Sequence, residues 1–427
     1  MRRRSNESGQ KGKTSRGPYQ TTTRAAQGRE RALTETDDLP LTLQAALDVM
    51  ARQRAAGEPL DRVVADVGRE RHLGPRERRA TGELAFSWAR HARIVQGLID
   101  DAIAKERGMV PRRRLLDLTA LCLASVANGV DVDARALAVL PDVLRVLVDD
   151  AIATGLHLST SLPPWLRLRI EGGFGPAAPA LIAALGKPAV PVLCTDPSKA
   201  SVDDVIAALL VQGAAGVASP LSPQGVRVVG GRFSLAKLPK AIGKACWPMD
   251  DGSQAVALSV GALPGERVLD LCAGGGGKAR LLGMSGATVI AADVDAGRLL
   301  KSLPAGVHGV VADGLHTPFL PASFDRVLVD APCSGTGTLR RAPDLALRLV
   351  EDELPPLVEL QRSLLRSALS LVKPGGVVVY ATCSLLKSEN EDVVDSVVGG
   401  AIKRAAPDRH LLPPECDGFF IARLTRS

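Results

Sequence analysis

The chain has 427 residues, too many for one ordinary core, and this length implies two or three domains. Apolar residues make up 46% and charged residues 23%, so most of the chain is expected to be globular. Aromatic residues reach only 3%, which argues against a nucleic-acid reader built mainly on base stacking. The net charge of +7 lies wholly in residues 1–31, which hold nine basic residues against Glu7 and Glu30. The neutral remainder meets a polyanion only through local patches such as Arg76, Arg78 and Arg79, or Arg112, Arg113 and Arg114. A neutral body with a basic arm fits an RNA partner; a solvated tail with no partner is the equal alternative.

The seven cysteines, Cys122, Cys194, Cys246, Cys272, Cys333, Cys383 and Cys416, include no C-x-x-C pair, and the six histidines form no H-x-x-x-H pair. Nothing reads as a metal site. The odd count in a large chain argues against a disulfide framework. No apolar run reaches membrane-spanning length, and no apolar segment of a secretory signal follows the basic N-terminus. The expectation is a cytoplasmic monomer with no membrane contact.

Residues 1–38, rich in Arg, Ser, Thr, Gly and Gln, read as a disordered basic arm. Residues 39–158 read as an all-helical domain. Leu84, Trp88, Val95, Ile99 and Ile103 draw an apolar stripe on one long helix. Leu115 to Ala124 give a second helix, and Val143, Leu144, Val146, Leu147 and Ile152 a third. Residues 159–245 read as a linker around Pro163 and Pro164, then helical segments between Trp165 and Leu185, then a small α/β unit. That unit has strands at Pro191–Cys194 and Val226–Val229 and a helix from Ser201 to Gln212, with Ser201 as N-cap. From 246 to 427 strand and helix alternate. Strands are expected at 267–272, 288–294, 307–312, 324–329, 377–382 and 419–424. The first five are dense in Val, Leu and Ile, as in a parallel sheet buried on both faces.

Four glycines, Gly274 to Gly277, follow the first of these strands in the run Cys272-Ala273-Gly-Gly-Gly-Gly-Lys278. Glycine permits positive φ and close approach of a ligand. Gly274, Gly276 and Ala279 satisfy G-x-G-x-x-G/A, and Asp293 ends the next strand, where a carboxylate can hold ribose hydroxyls. Cys272 and Ala279 stand where a P-loop needs Gly and Ser or Thr. A dinucleotide or S-adenosylmethionine fits this turn, and the glycines alone do not decide between them.

Asp330 and Cys333 lie just past the fourth strand in Asp330-Ala-Pro-Cys-Ser-Gly335, and Cys383 just past the fifth in Ala381-Thr-Cys-Ser384. Sites in open α/β sheets lie beyond the carboxyl ends of the strands. If these strands are neighbours, both thiols and Asp330 reach the cleft of the glycine turn. A lone cysteine past a strand is usually a small core residue; two in such motifs are harder to dismiss.

Through these motifs, residues from about 162 onward resemble the RNA 5-methylcytosine methyltransferase family. The resemblance also rests on Arg340-Arg-Ala-Pro-Asp344, Gln361, Lys373-Pro-Gly-Gly376, Glu389-Asn-Glu391 and Asp417-Gly-Phe-Phe420. The helical region in front resembles the NusB-like RNA-binding domain of the bacterial ribosomal RNA small subunit methyltransferase B group, through Glu83-Leu84, Arg90 and its helical content. The resemblance implies an α/β, class I methyltransferase (Rossmann-like) sheet and S-adenosyl-L-methionine as cofactor. The implied substrate is RNA, in this group 16S ribosomal RNA. It further implies Cys383 as nucleophile, Cys333 in product release, and Asp330 at the target cytosine. Cys272, Ala273, Gly274, Gly275, Gly276, Gly277, Lys278, Asp293, Asp313 and Asp330 are implied to line the cofactor site, with no metal. Two departures stand out. Gly274-Gly275 replace the usual Ala-Pro, which bears on cofactor affinity. Cys194-Thr-Asp196 replace an Arg-x-Asn stretch, which bears on RNA or cofactor contacts.

The chemistry explains the residue types. Carbon 5 of cytosine is a poor nucleophile until a thiolate adds at carbon 6 and makes the ring an enamine. Protonation at ring nitrogen 3 stabilises that adduct, and a neutral carboxylic acid at Asp330 is the candidate donor. A base then removes the carbon 5 proton. A free thiol has a pKa of about 8.5, so the site must supply a base or favour the thiolate. The target base must be unpaired or flipped out. Other readings remain. A nicotinamide-dependent oxidoreductase shares the glycine turn but leaves both cysteine motifs without a role. A DNA cytosine methyltransferase would use the Pro-Cys cysteine and has no need of Thr-Cys-Ser. A transfer-RNA-directed cytosine methyltransferase and a non-enzymatic RNA-binding scaffold complete the set.

Overall fold

The computed structural model describes residues 36, 38–106, 111–158 and 160–427. The basic arm expected at 1–38 otherwise lies outside the described residues. Thr36, assigned to that arm, is buried and accepts a hydrogen bond from Arg114 Nε at 2.8 Å, so the packed body begins ahead of Leu39.

The N-terminal region is helical: α1 (Leu41–Ala56), α2 (Leu60–Glu70), α3 (Pro75–Ala104), α4 (Arg113–Ala127), α5 (Ala134–Ala138) and α6 (Asp142–Thr154). The 30-residue α3 starts with Pro75 at its first position, and Glu77 reaches back to the Gly74 N–H at 2.6 Å. Its Trp88, Val95 and Ile99 enter one core with Leu118, Leu121 and Leu123 of α4 and Leu144 and Val148 of α6. Val146 and Ile152, which the sequence pattern adds to the apolar face of α6, are about half exposed. They flank that face and leave Leu144, Val148 and Ala151 to carry the contact.

Residues 160–162 were expected to be a linker and instead are buried. The Ser161 N–H donates to Arg90 O at 3.0 Å and its hydroxyl accepts from the Arg93 N–H at 2.9 Å. Then come α7 (Pro164–Phe174) and α8 (Ala178–Leu185), which pack through Leu166, Ile170 and Leu181 on Leu339, Leu354 and Leu385 of the C-terminal region. The small unit comprises β1 (Val192–Thr195), α9 (Val202–Val211), β2 (Ala215–Ala218), β3 (Gly225–Gly230), α10 (Lys240–Ala245) and β4 (Cys246–Pro248). Its sheet has the order β2-β3-β1-β4. Because β4 pairs antiparallel with β1, a domain division at 246 cuts this sheet, and the small unit runs through Pro248. β2 and β4 are three- or four-residue strands, too short for an alternation pattern to reveal.

The C-terminal sheet carries the site. After α11 (Asp251–Ser259) come β5 (Arg267–Asp270), α12 (Gly277–Gly283), β6 (Thr288–Asp293), α13 (Ala296–Ser302), β7 (His308–Val311) and β8 (Phe324–Asp330). They are followed by α14 (Leu345–Arg348), α15 (Leu354–Leu371), β9 (Val372–Thr382), α16 (Glu391–Asp395), β10 (Ile402–Arg404), β11 (Arg409–Leu411) and β12 (Phe419–Arg426). The order is β10-β12-β9-β8-β5-β6-β7, with β11 added beside β12. β9, β8, β5, β6 and β7 are mutually parallel, and β12 runs antiparallel to β9. Apolar cores cover both faces. One centres on Val327, Val329, Tyr380 and α15, the other on Val268, Leu328, Val379 and α11. This is the class I methyltransferase architecture expected from the sequence. β8 and β9 are direct neighbours, so their carboxyl ends deliver both cysteine loops to one place.

Candidate active site

The glycine turn follows β5. Gly274 has φ +55° and Gly276 φ +75°, conformations an L side chain rarely adopts. The Gly274 N–H donates to Asp293 Oδ2 at 2.7 Å, and the Asp295 N–H donates to Oδ1 at 2.9 Å. Asp293 thereby locks the turn to the end of β6. A cleft of about 630 Å³ opens against this turn, lined by Cys272, Ala273, Gly274, Gly275, Gly277 and Lys278. Asp270, Arg298, Asp330 and Phe419 also face it.

Asp270 is fully buried, and neither of its side-chain oxygens has a hydrogen-bond partner among the described residues. Burial, and next the charge of Asp330, push its carboxyl up to about 7. The positive-φ turn and an unpartnered acid facing the cleft fit a ligand that combines a flat polar nucleoside with a cationic group. S-adenosylmethionine has both. Asp313 does not line this cleft; its carboxylate accepts from the Leu315 N–H at 2.9 Å and faces His316 Nδ1 at 3.0 Å. Asp293 and Gly276 do not line this cleft; Gly276 lines a neighbouring cavity of about 950 Å³ together with Gly275 and Gly277.

Across the cleft, Lys278 Nζ is paired with Asp330 Oδ2. Burial works against the ammonium, but the Asp330 carboxylate outweighs it and holds Lys278 above the ordinary lysine value. The register pairs Asp330 with Ala381, so the two cysteine loops leave β8 and β9 side by side. Cys333 Sγ and Cys383 Sγ come to 3.3 Å. The hydrogen bond with Cys383, and next burial, push the Cys333 thiol well above its ordinary value. Burial also raises Cys272, so this third sulfur in the region stays a thiol.

The loops are tied to each other and to β12. The Gly337 N–H donates to Cys383 O and the Gly418 N–H to Gly337 O, each at 2.9 Å. A Cβ on Gly337 would sit 2.1 Å from Gly418 O, so that approach requires glycine. Beneath the sulfurs, Glu389 accepts from Ser334, Ser384 and Gln361. Asn390 Nδ2 donates to Ser384 O at 3.0 Å.

Arg341 spans the cleft mouth, with Nε to Asp417 Oδ2 and Nη2 to Asp250 Oδ2, both at 2.6 Å. Burial, then the neighbouring Asp250 charge, raise Asp417 to about 6. The next residue back, Arg340, is buried and donates to the carbonyls of Pro414 and Cys416, at 3.1 and 3.2 Å. Arg90 of α3 donates to Arg340 O at 3.2 Å, and Asp344 accepts from the Leu60 N–H at 3.2 Å. The Arg-Arg-Ala-Pro-Asp motif therefore joins the helical region to the cleft.

Sequence reasoning gave no role to Asp270, Arg298, Arg341, Glu389 or Phe419. Asp270 had a visible signal, a carboxylate inside an apolar strand. Glu389, Arg341 and Phe419 stand in the motifs that carry the family resemblance, but nothing in their spacing shows what they touch.

The family model for 16S rRNA methyltransferase RsmB/F matches residues 257–404. Ribosomal RNA small subunit methyltransferase B of Xylella fastidiosa is 33% identical over 288 residues, 62% of this chain and 68% of that protein. A putative methyltransferase of Mycobacterium tuberculosis is 35% identical over 275 residues, covering 60% of this chain and 58% of the other. Among solved structures, a methyltransferase homolog protein from Pyrococcus horikoshii superposes with a TM-score of 0.55 at 26% identity. The match covers 65% of this chain and 98% of that one.

Proposed function

Because the chain belongs to the 16S rRNA methyltransferase RsmB/F family and is an S-adenosylmethionine-dependent RNA methyltransferase, we propose that it methylates carbon 5 of a cytosine in small-subunit ribosomal RNA through a covalent Cys383 adduct. The observation that carries this reading is the pair of thiols 3.3 Å apart, set beside Lys278–Asp330 and the glycine turn. Bound at that turn, S-adenosylmethionine supplies an electrophilic methyl group. The Cys383 thiolate adds to carbon 6 of the base and makes carbon 5 nucleophilic. The sequence suggested a neutral Asp330 as donor to ring nitrogen 3. The ion pair favours a different source, because the transferable proton sits on Lys278 Nζ, and Asp330 orients it toward the base. After methylation a base takes the carbon 5 proton, the carbon 5–carbon 6 double bond reforms, Cys383 leaves as thiolate, and ring nitrogen 3 returns its proton to Lys278. Cys333 donates a hydrogen bond to that departing sulfur.

The helical region, with its NusB-like resemblance, is the proposed RNA-docking domain. Among the described residues no helix is long and apolar enough to cross a membrane. Bisulfite mapping of total RNA with and without the protein tests the reading. One protected cytosine in small-subunit ribosomal RNA is expected; protection confined to transfer RNA, or none at all, overturns it.

A further inference from the structure

Glu389 is wholly buried beneath the two cysteine loops, and its carboxylate meets four donors. Oε1 accepts from the Ser334 N–H at 2.8 Å and from Gln361 Nε2 at 3.0 Å. Oε2 accepts from the Ser334 and Ser384 hydroxyls. An ionised carboxylate has about four acceptor sites, so this one is saturated. Ser334 directly follows Cys333, and Ser384 directly follows Cys383. One side chain thus holds both sulfur-bearing turns. The charges around the pair are also unequal. The Glu389 carboxylate is among the charges that raise Cys333, and the Cys383 sulfur is among the groups that raise Lys278. An anion near one thiol and a cation near the other bias where a single negative charge resides.

We propose that Glu389 is a positioning residue for this reaction, locking the Cys333 and Cys383 loops at contact distance and, through its charge, leaving attack to Cys383 and hydrogen donation to Cys333. The inference rests on the reading of Cys383 as nucleophile and Cys333 as release group. The elevated Cys333 thiol agrees with it.

Two substitutions separate reach from charge. Glu389→Gln keeps the strap. Ser334 N–H and Gln361 still donate to its carbonyl oxygen, and the two hydroxyls turn to accept from its amide, so only the charge goes. Glu389→Asp keeps the charge but shortens the reach by one methylene. Iodoacetamide labelling of the full-length protein at pH 8 without RNA, resolved by residue with mass spectrometry, reads the charge directly. Cys333 should label several-fold faster in Glu389→Gln, because one raising charge is gone, and at the native rate in Glu389→Asp. With RNA, Glu389→Gln should lower kcat about tenfold and accumulate a denaturant-stable adduct, with KM for S-adenosylmethionine unchanged. Glu389→Asp should lower kcat without altering labelling.

An unchanged Cys333 labelling rate in Glu389→Gln overturns the assignment. Faster labelling with undisturbed turnover supports it and refutes instead the release role of Cys333, so the two failures are distinct. S-adenosylhomocysteine binding reports the fold, since Glu389 does not line the cofactor cleft. Should Glu389→Gln fail that check, Glu389→Asp decides, and an unaltered kcat there overturns the proposal.

Discussion

The two halves of the cleft are held together by opposite means. At the ends of β5 and β6 the wall is a glycine turn pinned by Asp293, and the buried Asp270 is left without a partner. At the ends of β8 and β9 the wall is a knot of side chains. Glu389 is saturated, Asn390 bonds Ser384 O, and Gly337 and Gly418 touch backbone to backbone. The first half leaves polar groups for a ligand to satisfy. The second pairs the Glu389 carboxylate and the two serine hydroxyls within itself and so fixes two sulfurs before any substrate arrives, as a preorganised site should.

The comparison breaks most severely at the sulfurs. Cys383→Ala should lower turnover by a factor on the order of 10⁴ or more and abolish any covalent RNA species, because Cys383 is the attacking sulfur in this scheme. Cys333→Ala leaves the attack intact and should accumulate a protein–RNA band on denaturing gels. An adduct with Cys383→Ala and none with Cys333→Ala would reverse the roles.

The knotted half should also show in stability. Glu389→Ala leaves the Ser334 N–H without a partner in a buried place, takes from the Ser334 and Ser384 hydroxyls their carboxylate acceptor, and leaves Gln361 Nε2 only the Pro332 carbonyl. The cost should be about 3–5 kcal/mol, read as a shift in the urea midpoint of the cofactor-free protein. A loss under about 1 kcal/mol would mean that the knot is not rigid.

That asymmetry also marks what sequence shows. The parallel strands were legible, because runs such as Val377-Val-Val-Tyr380 are buried on both faces and read as continuous apolar segments. The glycine turn, Lys278, Asp330 and the cysteines were legible because chemistry constrains their local spacing. The knot was not. Glu389 meets Ser334 across 55 residues, Arg340 meets Cys416 across 76, and Asp344 meets Leu60 across 284. No local pattern encodes such pairings. The edge of the small sheet failed for another reason, since β4 is three residues long.

Asp270 gives the open half its own pH signature. Its carboxyl is raised to about 7 in the fold, against about 3.9 unfolded, so the folded state binds the extra proton between those values. Folding is then favoured below the unfolded value, and stability is lost as pH rises through 7. Asp270→Asn removes that loss. Relative to the native chain, the cofactor-free variant should gain a few kcal/mol at pH 8 and nothing near pH 4. Melting curves at both pH values check this, and parallel pH profiles for the two proteins would exclude it.

The smallest effect lies at the turn itself, where this chain has Gly274-Gly275 in place of Ala-Pro. Gly274 at φ +55° presents its N–H to Asp293, and an L residue there carries a backbone strain of roughly 1–2 kcal/mol. A new Cβ would meet Arg298 Nη2 at 2.7 Å, but that is the far end of a flexible side chain and can swing aside. Backbone strain therefore sets the cost, and Gly274→Ala should weaken S-adenosylhomocysteine binding about fivefold, since about 1 kcal/mol separates the two turns. Gly275 is not at positive φ, so Gly275→Ala should leave affinity within twofold, roughly the ±0.5 kcal/mol of an ordinary substitution. Calorimetry on both variants sharpens the contrast between the halves. If Gly274→Ala binds as tightly as the native chain, the turn relaxes to a negative-φ form at no cost, and its glycines are not what shapes the cofactor half.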